Sequence, residues 1–229
     1  MDRDIKYITE NFIDSNMVCE ISQISHQELE KLITDKLIPN SSYEINMTYK
    51  INSPLGDEKV ISEAKKYFPK SVLNLIQENT KRSSSEFKEV LKTEFMEAFI
   101  QNANNQFAYD GILKKNGSVD MEKLTIAFEQ EWQYYLQGIY GICTINGTGT
   151  EIAKKEIAVK RLMAFNKKHG ENKLVDKDKE MLRILNDEFN EVSSLFAPYQ
   201  RISSSRGKYL DKILKLNALS GWIKNYAND

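Results

Sequence analysis

The sequence predicts a mainly helical protein, all-α apart from one short β-hairpin. A small helix-turn-helix-like unit stands at the N-terminus and a helical bundle follows it. Three observations carry that expectation. Gly and Pro are scarce, at 10 and 4 of 229 residues, which disfavours a turn-dense all-β fold. Apolar residues recur at three- and four-residue spacing along most of the chain. Apolar–polar alternation, the strand signal, is confined to one stretch, SYEINMTYKI at residues 42–51.

Residues 1–80 read as the first unit. IKYITENFI is a short amphipathic helix and MVCEISQI a second helical piece. SHQELEKLITDKL is a third, opened by Ser25 and Glu28 in an S-x-x-E capping box, where the serine accepts a backbone N–H and the glutamate reaches back. Leu29, Leu32, Ile33 and Leu37 give it an apolar face, and Pro39 ends it. The alternating stretch supplies one arm of the hairpin. YFPKSVLNLIQENT starts the last helix of the unit, with Pro69 placed in its first turn.

TKRSSSEF, polar and serine-rich, marks the boundary, and residues 81–229 form the bundle. Phe87, Leu91, Phe95 and Phe99 repeat every four residues along a helix that runs to Ala103. One stripe, Leu124–Phe128–Trp132–Tyr135–Ile139–Ile142, predicts a continuous helix from Met121 to Cys143. Thr148 and Glu151 form a second capping box, and Met181, Ile184, Leu185, Phe189, Val192 and Leu195 line another helix. SSSRGKYLDKILKLNALSGWIKNY closes the chain with one or two helices.

The bulk numbers exclude several function classes. A hydrophobic fraction of 41% against 28% charged residues supports a packed core and argues against disorder. The net charge of −1 excludes a strongly basic nucleic-acid coat. Cys19 and Cys143 form no CxxC, and His26 and His169 are the two histidines, so no metal site, disulfide framework or cofactor is expected. The N-terminus is charged from Asp2 onward, and no apolar run reaches membrane-span length, which predicts a cytoplasmic protein without membrane partners.

The first unit, with its KLIP turn at Lys36–Pro39, is similar to the winged helix-turn-helix of MerR-type regulators, and SHQELEKLI would be the major-groove helix. Its charge opposes that use. Nine basic and thirteen acidic residues between 1 and 80 leave a net of −4, which repels phosphates. A packing or partner module is therefore preferred to a DNA reader.

Three features of the bundle stand out. Gly138 and Gly141 interrupt a helical stripe, where they serve either tight packing or the wall of a pocket beside Tyr140 and Cys143. Glu156 interrupts the stripe Ile152–Val159–Met163, and lies either at its margin or buried against a cation. FAPYQRISSSRGKY sets serines between Arg201 and Arg206 at a helix start, either a serine cap with a structural ion pair to Glu156 or an anion site.

YLQGIYGIC, the Lys155–Glu156 pair and FAPYQRISSSRGKYLD together resemble an uncharacterised bacterial family of natural-product biosynthesis proteins; IPNSSY and YFPKS extend the resemblance toward the N-terminus. It implies an accessory component of a secondary-metabolite pathway that binds a small anionic metabolite or a biosynthetic partner protein. The expected ligand-binding residues are Tyr140, Gly141, Cys143, Lys155, Glu156, Tyr199, Arg201, Ser204, Ser205 and Arg206. Arg206 would recognise charge, Ser205 orient the ligand and Glu156 hold the arginine. Two other readings stay open: an enzyme using Glu156 or Tyr140 for proton transfer, and a DNA-binding regulator.

Overall fold

The computed structural model describes residues 2–102, 111–170 and 172–226. Ala103, the expected end of the Phe87–Phe99 helix, lies outside them. The described residues are mainly helical with one antiparallel sheet. The N-terminal unit runs α1 (Arg3–Asn11), β1 (Phe12–Asp14), α2 (Ser15–Ser22), α3 (His26–Thr34), β2 (Tyr43–Asn52), β3 (Glu58–Pro69) and α4 (Val72–Asn79). The expected short hairpin is in fact a long ribbon of ten and twelve residues, and β1 adds a third strand in the order β1–β3–β2. Pro69 closes β3 and does not open α4.

Local chemistry accounts for the helix ends. At α3 both halves of the capping box form: Glu28 N–H donates to Ser25 Oγ at 3.2 Å, and Ser25 N–H donates to the Glu28 carboxylate at 2.7 Å. Leu29 is then buried with Val18, Ile38, Phe68, Val72 and Ile76 in a core between α2, α3, β3 and α4.

The bundle consists of α5 (Ser84–Asn102), α6 (Met121–Leu136), α7 (Ile139–Cys143), α8 (Gly149–His169), α9 (Asp176–Val192), α10 (Pro198–Arg201), a π-helical turn (Arg206–Asp211) and α11 (Lys212–Leu216), with a 3₁₀ turn at Ser220–Trp222. The single helix expected from Met121 to Cys143 breaks at Gly138. There φ is +79°, and a Cβ would stand 2.5 Å from the Asn40 carbonyl oxygen and 2.6 Å from that of Ser41. One apolar stripe thus crosses a left-handed kink, because the loop before β2 needs backbone space. Thr148 caps α8 by accepting Glu151 N–H, while the Glu151 carboxylate accepts N–H groups from Asn146 and Gly147, so the box is only half formed.

Helix α8 lies in the middle. One side of it joins Phe87, Leu91, Phe95, Phe128, Trp132 and Tyr135 through Ile152, Ala153 and Ile157. Its other side joins Leu182, Leu185, Phe189 and Leu210 through Ala158, Leu162 and Phe165. A fourth cluster ties the two units together: Tyr7, Ile8, Phe12, Tyr43 and Tyr67 pack on Ala197, with Tyr226 partly buried beside them. Polar bonds reinforce that seam. Tyr43 Oη donates to Gln200 Oε1 at 2.7 Å, Asn40 N–H to the Leu136 carbonyl at 2.9 Å, and Ser42 Oγ to the Gly138 carbonyl at 2.9 Å. The chain boundary near residue 80 is therefore no gap in the packing.

Candidate functional site

The serine–arginine corner folds onto the end of α9. Arg206 has no solvent exposure. Its Nε donates to the Ser194 carbonyl at 3.0 Å, one terminal nitrogen to that of Ser193 at 3.1 Å, and the other to Asn190 Oδ1 at 2.7 Å. The guanidinium carbon lies 5.1 Å from the centre of the Phe189 ring. Burial, with Arg201 adding like-charge repulsion, pushes its pKa down to about 10, still well above neutrality. Glu156 is not its partner. The carbonyls at the end of α9, with no intrahelical donors left, take that place.

Arg201 is also engaged. Its Nε and one terminal nitrogen meet the two Asp211 oxygens at 2.7 and 3.3 Å, and it donates to the Lys224 carbonyl at 2.8 Å. Ser204 Oγ donates to the Arg201 carbonyl at 2.6 Å and accepts the Gly207 N–H at 3.2 Å, so the serine that bonds the turn is Ser204, not the adjoining Ser205. A Cβ on Gly207 would stand 2.1 Å from the Arg201 carbonyl, so the tight approach requires glycine. Tyr199 donates its N–H to Asp4 Oδ1 at 2.8 Å and leaves its ring exposed. The corner thus bonds to the protein at every turn, and both arginines are occupied as struts.

A second polar group lies between α6, α7 and α8. Tyr140 Oη donates to the Glu131 carboxylate, with both residues buried. Lys155, buried as well, interacts with Cys143 and stands 4.0 Å from Glu156 and 6.0 Å from the Tyr140 ring centre. Burial works against its charge, yet Cys143, Glu156 and Glu131 outweigh that and hold its pKa above the ordinary value. Burial pushes the Cys143 thiol up despite Lys155, so near neutrality it is a thiol and no activated nucleophile.

The structure therefore sorts the ten candidates into two sets. Tyr140, Cys143 and Lys155 meet around Glu131, with Glu156 at the margin of the group. Arg201, Ser204 and Arg206 belong to the corner, with Ser205 and Tyr199 on its outer side. One bridge joins the sets: Ser194, whose carbonyl accepts from Arg206, donates its hydroxyl to the Ile142 carbonyl in α7. Gly141 faces the N-terminal unit instead, where a Cβ would stand 2.2 Å from Ser42 Oγ.

Sequence reasoning passed over Glu131, although Leu124, Phe128, Glu131 and Tyr135 follow one core-facing spacing that flags an acid among apolar residues. It also passed over a cleft of about 300 Å³ between α8 and α9. Phe165, Met181 and Leu185 floor this cleft, and Arg161, Lys168, His169, Lys177 and one acid, Asp178, stand around it. The His169 ring lies over Phe165 with centres 4.4 Å apart, and its Nδ1 is 3.7 Å from Asp178. Arg161 bonds Glu188.

On the DNA-reading side, α3 exposes Gln27, Glu28, Glu30, Lys31 and Thr34, with Glu30 bonded to Lys66 at 2.8 Å. No basic strip is formed there. Among the described residues no helix is long and apolar enough to cross a membrane, and no group of three or more His, Cys, Asp or Glu side chains could hold a metal ion.

No curated protein and no solved structure matches the chain. Residues 87–218, from α5 to the residues just after α11, match the model of a family of unknown function. That span is more than half of the chain and includes the corner, the buried polar group and the α8–α9 cleft. The chain belongs to the family of unknown function DUF6058.

Proposed function

We propose that the protein is an accessory binding component of a bacterial natural-product pathway, and that its ligand is a small anion with an apolar body held in the α8–α9 cleft. The pathway assignment rests on the resemblance of the YLQGIYGIC, Lys155–Glu156 and FAPYQRISSSRGKYLD segments. The observation that carries the ligand class is the pairing of an apolar floor with Lys168 and Lys177, two exposed cations that make no side-chain bond within the described protein. Concave, mostly apolar sites with a few polar groups are where small molecules bind, and charge-assisted bonds orient a carboxylate or phosphate.

This reading moves the anion from the corner to the cleft, because Arg201 and Arg206 already spend their donors on the protein. The reading as an enzyme is carried less far. Its best support is the buried Glu131–Tyr140–Lys155–Cys143 group, but Tyr140 is committed to Glu131 and the Cys143 thiol is not activated.

Titration with decanoate and with decanol, followed by calorimetry and thermal melting, tests the ligand class. Decanoate should bind and raise the melting temperature more than decanol, and Lys168→Glu with Lys177→Glu should remove that difference. Equal binding of the two probes, or binding of neither, overturns it. Metabolite profiles of a strain lacking the gene test the pathway assignment separately.

A further inference from the structure

The ribbon of β2 and β3 extends well beyond the sheet that anchors it. Strand β1 pairs only with Tyr67, Phe68 and Pro69, so from Lys66 outward β3 has β2 as its neighbour and an open second edge. Ten residues of β2 at about 3.3 Å each make an arm about 33 Å long. Directly opposite residues share a face. On one face the register sets Met47 beside Glu63, Tyr49 beside Ile61, and Ile51 beside Lys59. This face continues the one that is buried at its base through Tyr43 and Tyr67, but Tyr49 and Ile51 are 46% and 52% exposed. An isolated two-stranded ribbon is marginal in water, and this one presents an apolar seam without cover.

The charges on that face specify what covers it. Lys59 and Glu63 lie two residues on either side of Ile61, and neither makes an ion pair or side-chain hydrogen bond among the described residues. Two such faces, related by a two-fold axis across the strands at Tyr49 and Ile61, stack Tyr49 on Tyr49 and Ile61 on Ile61. The same rotation sets Ile51 against Met47 of the partner subunit and Lys59 against Glu63 of the partner subunit, twice. An isologous contact has to be self-complementary in this way. We propose that two copies of this chain associate through the Met47–Ile51 face of the ribbon, with Lys59 and Glu63 fixing the register.

The contact is at the small end of specific interfaces, so association is read at high protein concentration. Sedimentation velocity of the full chain from 5 to about 300 μM should show a monomer–dimer equilibrium. Lys59→Glu and Glu63→Lys, each alone, set like charges face to face and should weaken the dimer at least about ten-fold. The double variant reverses both partners and should recover most of the affinity, and Tyr49→Glu should give monomer throughout. Circular dichroism checks that each variant is folded. A wild type that stays monomeric up to 300 μM overturns the proposal, as does a dimer indifferent to the single charge reversals. So does a double variant no better than either single one.

Discussion

Arg206 Nε donates to the Ser194 carbonyl at 3.0 Å, and through that residue the π-helical turn, the end of α9 and the Ile142 carbonyl of α7 are held together. A guanidinium suits this place because its donors point in fixed, divergent directions. Three groups from one stretch of chain, Asn190, Ser193 and Ser194, are satisfied by one side chain.

Removing that side chain should cost stability. Arg206→Ala strands the buried Ser193 carbonyl, leaves the Ser194 carbonyl with only the Ser193 hydroxyl, and opens a cavity, for an expected loss of about 3 kcal/mol. Arg206→Lys should recover little, since one ammonium cannot fork to three acceptors. Urea denaturation checks both variants. A loss below about 1 kcal/mol would show that the end of α9 holds without the arginine.

Gly56 and Gly138 separate conformational strain from steric exclusion. Both have φ near +80°, but a Cβ on Gly56 meets nothing within 4 Å, whereas on Gly138 it meets backbone oxygens at 2.5 and 2.6 Å. Gly56→Ala should cost about 1 kcal/mol, the ordinary penalty of a left-handed alanine. Gly138→Ala should cost at least about 2 kcal/mol more, because a backbone neighbour cannot swing away. Equal losses in paired melting experiments would mean that the seam between α7 and the loop before β2 yields easily.

Cys143 should be chemically quiet in the native state. In a Cys19→Ser background, Ellman's reagent should modify Cys143 only as fast as the protein opens, with the rate rising with urea in step with unfolding. Rapid stoichiometric reaction in native buffer would show that Lys155 activates the thiol, and would return the enzyme reading to the front.

The capping box of α3 predicts a pH signature. Bonds from the Ser25 N–H, then its hydroxyl, hold the Glu28 carboxyl below its ordinary value of 4.5. With the folded pKa the lower of the two, the stabilisation is complete above about 4.5 and is lost as the pH falls through the folded value. The melting-temperature gap between wild type and Glu28→Ala should therefore be widest near neutrality and narrow as the pH falls below about 4.5. A gap that does not narrow on acidification would contradict the carboxylate as its cause.

Much of this arrangement was legible in the residues because it is local. The Ser25–Glu28 box needs only four consecutive positions, and the Phe87–Phe99 and Leu124–Tyr135 stripes need only helical periodicity and a partner surface of any kind. Strand β3 was not legible. EKVISEAKKYFP lies in the exposed arm for most of its length, so no one-sided burial imposed an alternating pattern on it. The stripe on α8 left the place of Glu156 open for the opposite reason. That helix is covered on two sides, by α5 and by α9, so Lys155 is buried beside Cys143 while Glu156 stands at the edge.

The amino-acid sequence alone determined the mainly helical class, the Ser25–Glu28 cap and the core stripes Phe87–Phe99 and Leu124–Tyr135, since each follows from spacing along a few turns. Only the tertiary structure decided what the charged residues do. Apart from Glu156, the chain neighbour of Lys155, the partners of Arg206, Arg201 and Lys155 lie 10 to 24 residues away in the chain. A buried cation is settled by whichever acceptors the packing leaves unpaired, and that is a property of three-dimensional proximity that no local pattern encodes.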